Sequence, residues 1–369
     1  MVPEGWELIK LIDIIKLSSG DTKPKDISKT PTDSKPYPVY GGNNIMGYSS
    51  RTNSTKPVIL IGRVGEYCGI TRYINKNCWI TDNALYSKEV NKSIDIEFLA
   101  LKLKSYDLSR LRNKGGQPLI SQKPIYGLKL SIPPFSEQKK IAQILSTWDK
   151  AITTTEQLLA NSQQQKKALM QQLLTGKKRL LDENGVRFSG EWQESLLGEL
   201  ATITTGSSNR QDSSLTGEYT FFDRSIDVRT SNNYLFDAEA IIVPGEGQQF
   251  TPKYFSGKFD LHQRTYAIMD FPSCSGKFLY YYLSHYKQYL LSQAVGSTVK
   301  SLRLPMFKKM KLNIPPIDEQ HKIAKMLSNA DLGCNLLIGK LEHLKKEKKA
   351  LMQQLLTGKR RVKVDEEAA

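Results

Sequence analysis

Amide and guanidinium side chains recur in the loops of two β-rich stretches of the chain. Arginine can form two hydrogen bonds with one guanine, and Asn or Gln can pair with adenine in a similar way. The residues predicted to contact base edges on this ground are Asn43, Asn44, Arg63, Asn83, Gln117 and Gln122 in the first stretch, and Arg210, Arg224, Gln248, Gln249, Gln263 and Arg264 in the second. Lys123, Lys300 and Arg303 are predicted to contact phosphates, which position a protein on a nucleic acid without identifying its sequence.

The segments that carry these residues have the composition of short strands and turns. "KPVILIGRVGEYCGITRYI" (56–74) and "AIIVPGEGQQFTPKYFSGKFDLHQRTYAI" (240–268) combine β-branched and aromatic residues with Gly and Asn. A helix is predicted near 96–113 in the first stretch and near 276–292 in the second. A polar loop follows each helix, so the candidate residues are expected to lie on loops of a rigid β scaffold.

The formal net charge of the 369-residue chain is +16, which favours an anionic partner. Residues 1–131 contain 20 Lys/Arg against 12 Asp/Glu, whereas residues 187–313 contain 14 against 12. The first stretch is thus the more basic of the two. A solubilising surface would explain the same excess, so charge alone leaves nucleic-acid binding open.

A long internal repeat organises the chain. "KKALMQQLLTGK" occupies 166–177 and recurs unchanged at 348–359, and residues 132–177 match 314–359 at 24 of 46 positions. The preceding stretches share little, so each module has a variable body and a nearly constant tail. The predicted domains are a first body (1–131), a central helix (132–180), a second body (187–313) and a C-terminal helix (314–360).

The spacing of apolar residues predicts that both tails are long helices. Positions from Ile141 to Leu173, and the equivalent positions from Ile323 to Leu355, alternate steps of four and three as in a coiled-coil seam. Thr155, Ser162 and Lys166 interrupt the first seam. A helix of about 38 residues with one apolar stripe needs a partner, and the economical partner is the other copy, running antiparallel. The predicted fold class is therefore α+β, with two β-rich bodies and a paired helical region.

These features together resemble the specificity subunit of type I restriction-modification enzymes. The resemblance rests on "IPPxxEQxKIAxxLS" at the start of each helix, "KKALMQQLLTGK" at its end, and "YPVYGGNNIMGY", "ILIGRVGEYCG", "WITDNALY" and "GSTVKSLRLPMF" in the bodies. It implies that each body is a target-recognition domain for half of a bipartite, asymmetric site in double-stranded DNA with a fixed spacer. It also implies that two modification subunits, which methylate adenine N6 with S-adenosylmethionine, dock on the helices, and that restriction subunits can join.

Two rival functions remain to be weighed. A self-contained adenine methyltransferase would need an Asp/Asn-Pro-Pro-aromatic loop, but "IPPF" (132–135) begins with an isoleucine that offers no side-chain acceptor. "GRVGEYCG" (62–69) and "PGEGQQF" (244–250) lack GxGxxG spacing, so no catalytic or cofactor site is predicted in this chain. A non-catalytic coiled-coil scaffold without sequence-specific DNA recognition is the second rival, since it explains the helices but not the loops.

The remaining sequence features carry weaker expectations. Cys68, Cys78, Cys274 and Cys334 form no CxxC pair, so they are predicted to be buried apolar residues and no metal site is predicted. No segment has transmembrane length and the N-terminus does not resemble a signal peptide, so the expected location is the cytoplasm, without membrane contact. The basic run 359–363 is predicted to lie in a solvated chain end.

Overall fold

The computed structural model describes residues 2–113 and 115–364. The chain forms two compact units, Met1–Glu156 with Lys340–Ala369, and Gln157–Gly339. Each unit combines one body with part of both long helices. The boundaries of the four domains proposed from the sequence stay a prediction.

The first body is built on two small sheets and a strand pair. A four-stranded sheet has the order β2-β8-β5-β6, a three-stranded sheet has the order β4-β3-β7, and β1 pairs with β9. The strands are β1 (Glu7–Lys10), β2 (Ile15–Ser19), β3 (Tyr37–Tyr40), β4 (Ile45–Ser49), β5 (Val58–Gly62), β6 (Thr71–Ile74), β7 (Trp79–Ile80), β8 (Ala84–Val90) and β9 (Lys129–Ile132). The helices are α1 (Leu11–Ile14), α2 (Ile96–Tyr106) and α3 (Gln122–Tyr126). Strand β5 is buried along its whole length and forms the centre of this scaffold.

The second body has one larger sheet and two strand pairs. The six-stranded sheet has the order β11-β17-β14-β16-β12-β13, while β15 pairs with β18 and β10 with β19. The strands are β10 (Gln193–Leu196), β11 (Thr202–Thr205), β12 (Tyr219–Phe222), β13 (Arg229–Ser231), β14 (Phe236–Pro244), β15 (Glu246–Gly247), β16 (Lys253–Leu261), β17 (Thr265–Met269), β18 (Lys300–Ser301) and β19 (Lys311–Ile314). The helices of this body are α5 (Leu197–Leu200), α6 (Gly276–His285), α7 (Lys287–Gln293) and α8 (Leu304–Lys308).

The helix predicted in each body is shorter than its sequence suggested. Asp95 caps α2 by accepting a hydrogen bond from the Phe98 backbone at 2.8 Å, but Asp107 adopts a left-handed conformation with φ 57°. That residue ends the helix, and a 3₁₀ turn follows. Similarly, α6 begins after Ser275 and is separated from α7 by Tyr286.

The long helices α4 (Phe135–Leu173) and α9 (Ile317–Leu355) confirm the prediction from the repeat. The predicted seam positions are buried or half-buried in both helices, because these faces pack together. Gly176 and Gly358 follow the helix ends with φ 71°, a conformation that glycine adopts without a Cβ penalty. The fold is thus α+β, as predicted.

Lysines that interrupt the apolar seam form ion pairs with the opposite helix. Lys166 of α4 pairs with Asp331 of α9 in one unit, and Lys348 of α9 pairs with Asp149 of α4 in the other. Each pair joins the late part of one helix to the early part of the other. The helices therefore run antiparallel, and charged groups in the seam specify their register.

The Glu-Gln pair at the start of each long helix lies where the other long helix ends, and we call each of these two regions a joint. Arg179, just beyond α4, donates to both carboxylate oxygens of Glu319 on α9 at 2.7 and 2.6 Å. Arg361, just beyond α9, donates to both oxygens of Glu137 on α4 at 2.8 Å each. Residues 359–361 and Lys363 are exposed, as predicted for a solvated chain end, but Arg361 is held by its ion pair with Glu137. Residues 365–369 lie outside the described residues. An arginine that follows each helix thus neutralises the glutamate at the start of the other helix.

The neighbouring glutamine of each joint connects the long helix to a body helix. The Gln138 side chain accepts a hydrogen bond from the Asp95 backbone at 2.8 Å and donates to the Ser93 carbonyl at 3.1 Å. Gln320 accepts from the Ser275 backbone at 2.9 Å. Both contacts lie at the start of the body helix, so the glutamines align α2 with α4 and α6 with α9.

The cysteines are buried, as predicted, and none forms a disulfide within the described residues. Burial raises the pKa of the Cys78 and Cys274 thiols to about 11, which disfavours the reactive thiolate. No helix among the described residues is long and apolar enough to cross a membrane.

Candidate nucleic-acid interface

Backbone hydrogen bonds bring distant loops of the first body to the end of β5. The Arg63 N–H donates to the Asn83 carbonyl at 3.0 Å, and the Ile120 N–H donates to the Arg63 carbonyl at 2.9 Å. The Gly65 N–H donates to the Pro118 carbonyl at 2.8 Å. Arg63, Asn83 and the loop containing Gln117 are thereby joined at one edge, which we call the first loop edge.

The second body repeats this arrangement at the end of β14. The Gly245 N–H donates to the Arg264 carbonyl at 2.9 Å, and the Leu302 N–H donates to the Gly245 carbonyl at 2.8 Å. Glu246 and Gly247 then pair with Ser301 and Lys300. These contacts define the second loop edge. Gly245 and Leu302 follow Arg63 and Ile120 by 182 residues, so both bodies use the same backbone framework with different side chains.

Close packing of loops at each edge depends on glycine. A Cβ on Gly42 would lie 2.9 Å from the Asn83 carbonyl oxygen, so this glycine allows the loop containing Asn43 and Asn44 to approach the first loop edge. Gly247 has φ 135°, which disfavours other residues at the turn in the second. Glycines at both edges thus allow backbone conformations and approaches that other residues would disfavour.

Side chains of the first loop edge differ in how firmly they are held. The Asn43 amide oxygen accepts from Arg72 at 3.1 Å, and Arg63 donates to the Ser19 hydroxyl at 2.9 Å. Gln122 donates its amide to the Leu17 carbonyl at 3.1 Å, which occupies a group predicted to contact a base. The remaining candidates here are solvent-exposed, namely Asn44, Asn83, Gln117 and Lys123.

The second loop edge contains two arginines that share one carboxylate. Arg264 Nη1 donates to both oxygens of Glu246 at 2.9 and 3.0 Å, and Arg224 Nη1 donates to one of them at 3.4 Å. Gln263 donates to the Asn209 amide oxygen at 2.7 Å, and Arg210 lies 3.9 Å from the buried Asp223 carboxylate. The remaining candidates are exposed, namely Gln248, Gln249, Lys300 and Arg303.

Two half-buried cations at equivalent positions were missed by the sequence reasoning. Arg72 pairs across the strands with Leu60, and Lys253 pairs with Ile242, which follows Leu60 by 182 residues. Lys253 donates to the Ser225 carbonyl at 2.7 Å, much as Arg72 donates to Asn43. Each cation therefore anchors the loop that follows β3 or β12.

Burial lowers the pKa of basic groups near both edges. It lowers the pKa of the Arg72 guanidinium, with Tyr40 acting in the opposite direction. It also lowers the pKa of Lys253, against the opposing effect of Asp223 and Asp227. Burial is again the largest cause of the lowered pKa of His262, to which the nearby arginines Arg224 and Arg264 add. A neutral His262 fits its contact, because its Nδ1 accepts a hydrogen bond from the Arg264 N–H at 3.0 Å.

The architecture can be compared with known proteins now that both edges are defined. Residues 3–161 and 189–346 each match the family described as type I restriction modification DNA specificity domain. The chain belongs to this family. A specificity subunit is the non-catalytic, DNA-recognising component of its complex, which agrees with the prediction that this chain is not itself an enzyme.

Relatives and a solved structure are similar to the chain over part or nearly all of its length. It is 24% identical to the MjaVIII specificity subunit of Methanocaldococcus jannaschii, over 98% of this chain and 94% of the relative. It is 29% identical to the EcoDI specificity subunit of Escherichia coli, over 45% of this chain but only 37% of the relative. The S subunit of a type I restriction-modification system from M. genitalium has the same fold, with a TM-score of 0.74, 17% identity, and coverage of 96% of this chain and 99% of that chain.

The predicted site residues of the specificity subunit remain candidates for DNA contact. The structure brings Asn43, Arg63 and Asn83 together in one body, and Arg224 and Arg264 in the other. Asn209, Asp223, Glu246 and His262 were not predicted, although they lie beside predicted residues. Asp223 and Glu246 lie beside arginines, Asn209 accepts a hydrogen bond from Gln263, and His262 accepts one from the Arg264 backbone. The contacts of Asp223, Glu246 and Asn209 join residues at least 13 positions apart, so the sequence offered no local signal for them.

Proposed function

We propose that the two bodies recognise the two halves of a bipartite, asymmetric site in double-stranded DNA with a fixed spacer. The observation that carries this proposal is the common backbone framework of the two loop edges, which presents different side chains in each body. A shared framework supports one mode of approach to DNA, while different donors and acceptors support different base preferences.

We further propose that α4 and α9 provide equivalent docking surfaces for two modification subunits. Burial explains why seam residues are the same in the two repeats. It does not explain why the exposed residues Lys167 and Gln171 recur as Lys349 and Gln353. A second copy of the same partner explains why exposed residues recur. The modification subunits would use S-adenosylmethionine to methylate adenine N6, and restriction subunits could join the same complex.

A methylation map tests the proposed recognition. The chain is co-expressed with its modification subunit in a methylation-free host, and N6-methyladenine is located by sequencing. A bipartite motif with a fixed gap is expected, and replacing residues 1–131 with another body should change only one half. A fully assembled, methylation-competent complex that yields no such motif would contradict the proposal.

Salt dependence separates the proposal from the rival scaffold function. A complex that neutralises phosphates releases counterions, so its DNA affinity should fall steeply between 50 and 200 mM salt. An assembled complex whose DNA binding is absent or insensitive to salt would favour a scaffold without DNA recognition. Titration of labelled duplex at several salt concentrations makes this measurement.

A further inference from the structure

We infer that Arg264 recognises a guanine in the half-site of the second body, and that Glu246 and His262 are its positioning residues. This inference rests on the proposed function, because it assumes that the second loop edge meets base edges. It goes further by naming the base and the groups that prepare the arginine for it.

The carboxylate of Glu246 fixes the direction of the Arg264 guanidinium. The Glu246 side chain is only 19% exposed, and Arg264 Nη1 donates to both of the Glu246 carboxylate oxygens. The arginine side chain is nevertheless 59% exposed. The Nη1 nitrogen is thus used for the ion pair. The Nε and Nη2 donors lie on the other edge of the guanidinium, where they can meet a second partner.

Two further contacts hold the backbone of Arg264. Its N–H donates to His262 Nδ1 at 3.0 Å, and its carbonyl accepts from the Gly245 N–H at 2.9 Å. A Cβ on Gly245 would lie 2.7 Å from that carbonyl oxygen, so glycine is needed for this approach. Backbone and guanidinium are therefore both oriented before DNA arrives.

An oriented pair of parallel donors matches guanine better than other targets. Guanine presents O6 and N7 as adjacent acceptors in the major groove, and an arginine fork meets both at once. A phosphate contact would need positive charge but no fixed fork, because phosphates are also bound well by flexible lysines. The contacts that fix the orientation of Arg264 therefore favour a base, rather than the DNA backbone, as its partner.

Arg224 provides an internal comparison. It shares Glu246 through a single contact of 3.4 Å, and its side chain is 52% exposed. With one weak tether, it is less restricted than Arg264. We therefore assign the guanine to Arg264, and expect Arg224 to contribute mainly charge.

The test uses the assembled complex and a set of duplexes in which each base pair of the methylated motif is replaced in turn. Wild type is compared with Arg264→Lys, Arg264→Ala and Glu246→Gln, with Arg303→Ala as a matched control for loss of an exposed arginine. Competition binding gives the discrimination at every position. Co-elution with the modification subunit, and unchanged discrimination in the other half-site, verify that each variant is folded.

One G·C pair in the half-site of the second body should lose about 5- to 150-fold of its discrimination in Arg264→Ala. Arg264→Lys should lose most of it despite the retained charge, and Glu246→Gln should lose part of it. Arg303→Ala should weaken all duplexes equally. A wild-type motif without G·C in that half-site, or full discrimination in Arg264→Lys, would overturn this inference while leaving two-part recognition intact. Absence of any bipartite motif would instead overturn the proposed function.

Discussion

Removal of Arg179 should destabilise the unit that contains it, because it would leave a buried carboxylate without its partner. Glu319 is 0% exposed, whereas the Arg179 side chain is 21% exposed and forms two hydrogen bonds with it. Breaking a buried ion pair from one side costs ~3–5 kcal/mol. We expect Arg179→Ala to lower the free energy of unfolding by ~3 kcal/mol, the lower end of this range, because water can still reach the arginine side.

A double-mutant cycle in urea denaturation measures this effect directly. Glu319→Gln removes the charge that Arg179 compensates, so Arg179→Ala combined with Glu319→Gln should regain ~2 kcal/mol relative to Arg179→Ala alone. Arg187→Ala, at an exposed arginine nearby, serves as the control and should change stability by less than ~0.5 kcal/mol. Equal stability of the single and double variants would refute the argument from the buried charge.

The equivalent pair in the other unit gives a graded comparison. The Arg361 side chain is 45% exposed, and Glu137 also accepts a hydrogen bond from the Trp6 indole at 3.3 Å. Solvent and Trp6 would each stabilise the carboxylate after the arginine is lost. Arg361→Ala should therefore cost only ~1–2 kcal/mol. A larger loss at Arg361 than at Arg179 would mean that exposure does not govern these joints.

Three further predictions concern partners, pH and the seam. Ala168→Arg or Ala350→Arg, each at an exposed repeated position, should remove one of two modification subunits, and the double variant both, as measured by native mass spectrometry. Burial lowers the pKa of Lys102 from 10.5 to about 8. Between these values the folded state binds fewer protons than the unfolded state, so the free energy of unfolding should rise with pH, by up to ~3 kcal/mol. Lys102→Met should flatten this rise when urea denaturation is compared at pH 7.5 and 10. Lys348→Met should change stability by less than ~1 kcal/mol, whereas Asp149→Ala should cost ~2–3 kcal/mol by leaving the buried Lys348 ammonium unpaired.

The docking prediction needs a control for surface charge. Thr154→Arg places the same side chain at an exposed position of α4 that is not repeated in α9, where Leu336 stands. It should leave two modification subunits bound. Loss of a subunit from this variant, or retention of both subunits by the variant that combines Ala168→Arg with Ala350→Arg, would contradict docking on the repeated surface.

The helices could be predicted from the sequence because their signals are local. Apolar spacing, prolines at the start and glycine at the end all act within a few turns, and the repeat supplied the partner. The role of Lys166 could not be predicted, because its partner Asp331 is distant in sequence and becomes a neighbour only in the antiparallel register. Likewise, the left-handed residue Asp107 ends a helix that was predicted to continue to about residue 113.

Residue type predicted which side chains are candidate DNA contacts, but not which of them already form hydrogen bonds within their body. Glycine-rich turns and amide residues indicated loops that the structure places at the two loop edges, since turn chemistry is local. Whether an amide is free depends on strand pairing: Gln122 donates to the Leu17 carbonyl, a contact that only the folded body creates. The role of Glu246 could not be predicted for the same reason, because Arg224 and Arg264 become its neighbours only in the folded body.

The joints between bodies and helices have an evolutionary consequence. Gln138 and Gln320 contact backbone atoms of the body helices, and Arg179 and Arg361 add contacts to the carbonyls of Gly190 and Glu4. Because these four attachments reach backbone atoms of the bodies, they tolerate changes of side chain in a body, which favours divergence of a body without compensating changes at these positions of the tails. Under the proposed function, natural selection could thus alter the target of a body while the docking surface of the helices stays unchanged.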